Sequence, residues 1–329
     1  MALDGVQKNK LVLLINGIVS IVIIAYILNY IGLNNFLNEI SKVNLTYLGL
    51  SASFLLIMYG IMTARIKILL HEQGINLGWL QVLRSHFVGM LAADFTPARS
   101  GYFATSAMLH YKYKVPSEKA LVSVMGPTIF DFATKAMAGA IGITFLLWQF
   151  LSKDNKVLLI GASILMISMT FVMILLLFSR KFLNLFSFTK SWPIVGKIYE
   201  VFHKMQDNSK AVVSKTPELL ILLLFTWSAK AISWYFAAKS LGITIETAIP
   251  EILFYYLFQP LVTILEFIPS PTIAGIGLSE GGATLVLGLF GISAAKAAAF
   301  SLLTRFKTIA INLIAVPDAI SLLLKPKTE

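Results

Sequence analysis

The chain has 329 residues, 57% of them hydrophobic and only 13% charged, with a formal net charge of +11. Ordinary soluble domains are about a quarter charged, so this composition excludes that class and indicates an all-α polytopic membrane protein. The absence of cysteine rules out disulfides, thiolate nucleophiles and thiolate metal sites, and the four histidines (His71, His86, His110 and His203) lack metal-ligand spacing.

In chain order, the first apolar run, 11–31, has no small-residue cleavage pattern and reads as a retained anchor followed by an outer loop, together residues 1–45. Further full-length helices are expected over 46–68, 117–150, 156–179, 216–240 and 294–323, six in all. Two other apolar regions do not fit a simple crossing. Residues 79–110 are interrupted by "DFTPARSG", with Pro97 and Gly101, and residues 249–290 by "EFIPSPTIAGIGLSEGG", with Pro269, Pro271, Gly275 and Gly277. Open backbone facing lipid leaves N–H and C=O groups without partners. Each break must therefore be buried in protein or line a wet cavity, and both regions read as re-entrant helical hairpins.

Charge sets the orientation. Residues 180–215 hold seven Lys or Arg against Glu200 and Asp207, which places this segment in the cytoplasm. Working outward puts Lys8, Lys10, Arg65, Lys67, "HYKYK" at 110–114, Lys325 and Lys327 inside, so both termini are expected to be cytoplasmic in a multi-pass cell-membrane protein. Most of the positive charge thus follows the positive-inside pattern, and no nucleic acid partner is expected. The helix–hairpin–helix order with starts at 46, 79 and 117 recurs at 216, 249 and 294. The hairpins would enter from opposite faces. This makes a single membrane domain an inverted repeat, with repeat 1 over 46–150, a linking helix and basic segment over 151–215, and repeat 2 over 216–329. Such repeats with interrupted helices belong to transporters with midplane sites.

At the two breaks the sequence resembles the flippase-like transmembrane family typified by the membrane region of lysylphosphatidylglycerol synthase. The first family motif is similar to Pro-x-Arg-x-Gly-Glu, here Pro97-Ala-Arg99-Ser-Gly101-Tyr102. The second is similar to a Pro-rich turn before Gly-Ile-Gly-x-x-Glu, here Pro269-Ser-Pro271 and Gly275-Ile-Gly277-Leu-Ser-Glu280. Arg65, Asp131 and Arg305 also fit, and the resemblance spans about 46 to 316. Tyr102 stands where the family commonly has Glu. The resemblance implies lipid translocation, or the membrane half of a lipid-modifying enzyme.

Ionisable side chains deep in a membrane helix cost roughly 2.5–3.5 kcal/mol each on insertion scales. They persist when paired or when they line a cavity. The candidates for binding an anionic headgroup are Arg99, Arg305, Lys230, Lys135 and Arg65, with Lys307 also at membrane depth. Arginine can meet phosphate with a bidentate fork. Each has a structural alternative: Arg99 and Arg305 as partners of resident carboxylates, Arg65 as an inner-surface anchor, and Lys135 as the i, i+4 partner of Asp131. Asp94, Asp131, Glu266 and Glu280 are candidates for ion coupling or for structural pairing, Glu280 also as a first-turn residue of a half-helix. Trp79, Trp148 and Trp192 read as interfacial residues. The leading function is an ATP-independent lipid flippase or scramblase for an anionic headgroup: a phospholipid, an aminoacylated or glycosylated lipid, or a polyprenyl phosphate. The alternatives are the membrane subunit of an aminoacyl- or glycosyltransferase, dependent on a separate lipid-modifying enzyme, and an ion-coupled small-solute transporter. No cofactor, metal or catalytic residue is expected.

Overall fold

The computed structural model describes residues 18–23, 25, 26, 29, 32–150, 153–192, 195–207, 210–267 and 272–323. All regular structure among them is helical. After α1 (Leu33–Ser41), α2 (Leu45–Glu72) starts where the Asn44 side chain accepts the N–H groups of Thr46 and Tyr47, at 3.0 and 3.2 Å. Then come α3 (Trp79–Asp94), a tight 3-10 turn (Pro97–Phe103), α4 (Ala104–Tyr113), α5 (Ser117–Leu147) and α6 (Lys153–Phe178). The basic segment forms short helices, α7 (Arg180–Asn184), α8 (Val195–Asp207) and α9 (Lys210–Ser214), with Arg180 paired to Asp207. The second half comprises α10 (Thr216–Ser240), α11 (Glu251–Thr263), α12 (Leu278–Leu289), α13 (Ala294–Asn312) and α14 (Val316–Leu323).

Four described helices, Leu45–Glu72, Ser117–Leu146, Thr216–Ser240 and Ala294–Leu322, are long and apolar enough to cross a bilayer. The 26-residue α6 covers the helix expected over 156–179. The anchor expected over 11–31 lies largely outside the described residues, of which 18–23 are helical. The last expected helix, 294–323, is not uniform. A 3-10 turn at Leu313–Ala315 separates α13 from α14, because Pro317 has no N–H to return to the carbonyl four residues back.

α2 and α10 pack along each other through small side chains. Ser51 Oγ donates to the Ser233 carbonyl (2.6 Å) and Ser233 Oγ to the Ser51 carbonyl (2.7 Å), both residues being fully buried. Lys307 of α13 donates to the two hydroxyls, at 2.5 and 2.9 Å. An aromatic core of Trp234, Phe254, Phe258 and Phe300 fixes α11 and α13 to α10.

Each interrupted region folds back on itself. In the first, a Cβ on Gly89 would sit 1.8 Å from Thr105 Oγ1, and one on Gly101 would sit 2.2 Å from the Ala92 carbonyl oxygen. These pairs run in opposite chain directions, so α3 and α4 form an antiparallel hairpin. Asp318 of α14 clasps both arms. It accepts from Arg84 of α3 at 2.7 and 2.8 Å and from Lys112 of α4 at 2.7 Å. In the second, Phe254 meets Phe290 edge-on at 5.0 Å, and a Cβ on Gly275 would lie 2.8 Å from Glu266 Cα. Gly101 tests this packing. Gly101→Ala forces methyl against rigid backbone, and overpacking costs about 1–3 kcal/mol. We expect a lower unfolding temperature in detergent, whereas Gly49→Ala, with open space around its Cβ position, should leave it unchanged.

Candidate functional site

The two hairpin tips touch. Thr96, the residue before Pro97, organises the junction. Its hydroxyl donates to the Ala92 carbonyl (3.0 Å) and accepts the Gly101 N–H (2.6 Å). Its carbonyl accepts the Arg99 N–H and, from the other hairpin, the Ala274 N–H, both at 3.2 Å. The Arg99, Gly101 and Ala274 N–H groups at the breaks therefore find partners inside the protein. The tips share a rare conformation: Ala98 and Arg99 have φ of 51° and 54°, and Ala274 and Gly275 have φ of 48° and 71°. Left-handed backbone is unfavourable for alanine and arginine and persists where surrounding structure enforces it. Pro269 and Pro271 lie outside the described residues. Gly277, with φ 94°, opens α12.

Strong ion pairs surround this junction. Arg99 Nη1 holds Glu266 Oε2 at 2.8 Å across the two hairpins, while its other arm reaches Asp94 only at 3.4 Å. Asp94, 3% exposed, gains its short contact from Asn312 Nδ2 at 2.5 Å. Arg305 of α13 binds Glu280 through Nε and the Ser279 hydroxyl through Nη2 at 2.7 Å. Glu280 also accepts the Gly277 N–H (2.7 Å) and the Ser279 hydroxyl (2.9 Å). Both arginines proposed for phosphate thus hold resident carboxylates here.

Arg65 is placed differently from the surface anchor its position suggested. It is 1% exposed and ties α2 to α5, with Nη1 on Asp131 at 2.6 Å and Nη2 on the Pro127 carbonyl at 2.7 Å. Asp131 therefore has a partner on another helix, and Lys135 stands one turn further along α5 on the cavity wall. Breaking a buried pair costs about 3–5 kcal/mol because one charge is left uncompensated. Arg65→Ala should lower the unfolding temperature sharply, Arg65→Ala/Asp131→Asn less so; equal loss in both would remove the pair from the stability account.

Between the halves lies a cavity of about 310 Å³. Its wall is largely apolar, with Met58, Met62, Met90 and Met125 from the first half and Trp227 and Pro260 from the second. Arg99, Lys135 and Lys230 face Asp131 and Glu266 in the same wall. Asp131 is paired with Arg65 and Glu266 with Arg99, so the lining holds more cationic than anionic side chains. Lys230 has no hydrogen-bond or ion-pair partner among the described residues. Exposed Phe103 stands at the rim, 42% accessible. A smaller space of about 40 Å³ adjoins it, walled by Asp94, Glu280 and Arg305 and by the same Arg99, Lys230 and Glu266. Among the described residues no group of three or more acidic or histidine side chains could hold a metal.

The sequence pattern did not mark Thr96, Asn312 or the four methionines. A hydroxyl residue directly before a proline is a turn signal that singles out Thr96. Asn312 carries no pattern of its own, and the methionines come from three helices, α2, α3 and α5, that only the fold assembles.

Apolar crossing helices around a buried, charged junction of two broken hairpins define a polytopic helical membrane protein. More narrowly, the chain belongs to the family of the lysylphosphatidylglycerol synthase TM region, whose model matches residues 13–315. No curated protein matches it in sequence.

Proposed function

We propose that this protein is a flippase or scramblase that moves an anionic lipid headgroup across the cell membrane without hydrolysing ATP. The supporting observation is the cavity between the halves: mostly apolar and methionine-lined, yet with Arg99, Lys135 and Lys230 in its wall, Lys230 having no hydrogen-bond or ion-pair partner among the described residues. A phosphate crossing hydrocarbon loses its water, and fixed cations at mid-depth replace it. The tails need no such substitute and remain in lipid, and apolar Phe103 at the rim suits a lateral opening. Methionine adapts to varied acyl and headgroup shapes.

In this reading the two hairpins are re-entrant and the halves form an inverted repeat. The matching left-handed residues, Ala98 with Ala274 and Arg99 with Gly275, each pair 176 positions apart, support that reading. Six crossings then follow, with both termini in the cytoplasm. The protein is not itself catalytic. Its family's tie to a synthase supports a second reading, a membrane subunit that hands lipid to a separate modifying enzyme.

Purified protein in liposomes should equilibrate a short-chain fluorescent phospholipid, or a polyprenyl-phosphate analogue, between leaflets without ATP or a partner chain. Equal rates in empty liposomes, across several headgroups and with imposed proton or sodium gradients, would favour the partner-dependent reading.

A further inference from the structure

The large cavity and the small space follow one another along α10. Leu223, Thr226 and Trp227 line the first, Lys230 lines both, and Trp234 lines the second. These positions share one helical face and span about 16 Å at 1.5 Å per residue. The side chains common to both spaces are Arg99, Lys230 and Glu266. The partition is thus built around one ion pair, Arg99–Glu266, beside a lysine bound to neither.

That pair is suited to opening. Arg99 has one close carboxylate contact, the 2.8 Å bond to Glu266, and a loose one of 3.4 Å to Asp94. A phosphate presents the same two-oxygen edge to a guanidinium as a carboxylate does. Beyond the partition, Arg305 keeps Nη1 only weakly engaged, 3.4 Å from the Ala274 carbonyl, and the hydroxyls of Ser301 and Thr304 are at the wall. The space is far smaller than the large cavity, about 40 against 310 Å³, and Glu266 stands in the wall between the two.

We propose that this small space is a second subsite for a phosphate oxyanion, entered when the phosphate replaces the Glu266 carboxylate on Arg99 and passes along Lys230 toward Arg305. The inference rests on the proposed function and specifies its path. The same oxyanion chemistry could be supplied by a lipid headgroup or by free phosphate.

The chain has no cysteine, so a single introduced thiol reports cleanly. Thr304→Cys places one in the small space. Its labelling by a water-soluble maleimide should be slow in otherwise wild-type protein. Adding Glu266→Gln should raise the rate about tenfold, the factor for weakening one hydrogen bond to a charged group. Dihexanoyl phosphatidic acid should then slow labelling again, and dihexanoylglycerol should not. Protection by the phosphatidic acid alone assigns the site to a headgroup, and equal protection by inorganic phosphate assigns it to the free oxyanion. If Thr304→Cys/Glu266→Gln does not fold, Ser301→Cys with Glu266→Asp makes the same measurement. Labelling that Glu266 substitution leaves slow, or that neither phosphate probe slows, overturns the subsite. Leaflet equilibration by the wild-type protein is measured separately. Translocation without protection removes only the subsite, and protection without translocation removes only the flippase reading.

Discussion

Lys230→Ala should lower headgroup translocation about 10–100-fold, the range for losing one charge-assisted hydrogen bond in the rate-limiting passage, and leave the unfolding temperature close to wild type. The two outcomes separate because Lys230 has no hydrogen-bond or ion-pair partner among the described residues, so its removal strands no opposite charge. It also lines both spaces, so a phosphate on the proposed path must pass it. Arg99→Ala is the contrast. It should reduce translocation comparably but also destabilise, since Glu266 and Asp94 lose their guanidinium. Arg99→Lys should restore stability better than transport, because an ammonium cannot present the planar fork. Lys230→Arg should keep much of the activity. The measurements are leaflet equilibration in liposomes and thermal unfolding in detergent. Lys230→Ala at wild-type rate would take this lysine out of the mechanism. An equal loss of stability in both alanine variants would mean that Lys230 has a structural role.

Much of this arrangement was legible because membranes restrict backbone so severely. Pro97 and Gly101 within an apolar run can be accommodated only where the freed backbone groups find protein partners, and the Thr96 and Ala274 bonds supply them. Gly275 and Gly277 were legible for the same reason, both adopting positive φ. Partner choice was less accessible. Asp131 and Lys135 share a helix face by spacing, but the close partner of Asp131 is Arg65, 66 residues earlier. Spacing along one helix says nothing about what a second helix brings. Arg65 looked like an inner-end anchor because α2 was expected to finish at 68. The helix instead continues to Glu72, which draws Arg65 a turn deeper into the packed region. Asn312 was invisible for a related reason: a lone amide in an apolar stretch acquires meaning only when Asp94 is placed 2.5 Å away.

Glu280→Ala should be the most damaging single substitution for folding. Glu280 is 3% exposed and joins two helices, α12 and α13, through one carboxylate. It accepts the Gly277 N–H at the start of α12 and the Ser279 hydroxyl, and it neutralises Arg305 of α13, whose side chain is 9% exposed. Truncation leaves the guanidinium buried without a counter-charge, costing about 3–5 kcal/mol, and removes a helix cap worth about 1 kcal/mol. Their sum is a large part of the about 5–15 kcal/mol that typically holds a domain together, so the variant should aggregate or unfold well below the wild-type temperature. Glu280→Gln should fall between, since its amide oxygen can still accept the Gly277 N–H while the charge is gone. Glu280→Ala/Arg305→Met should recover part of the loss by removing the stranded cation together with its partner. That double variant also separates structure from transport. If it folds and equilibrates lipid at the wild-type rate, Arg305 serves only the fold. If it folds and fails to transport while the Arg65→Ala/Asp131→Asn protein still transports, the Glu280–Arg305 pair belongs to the headgroup path.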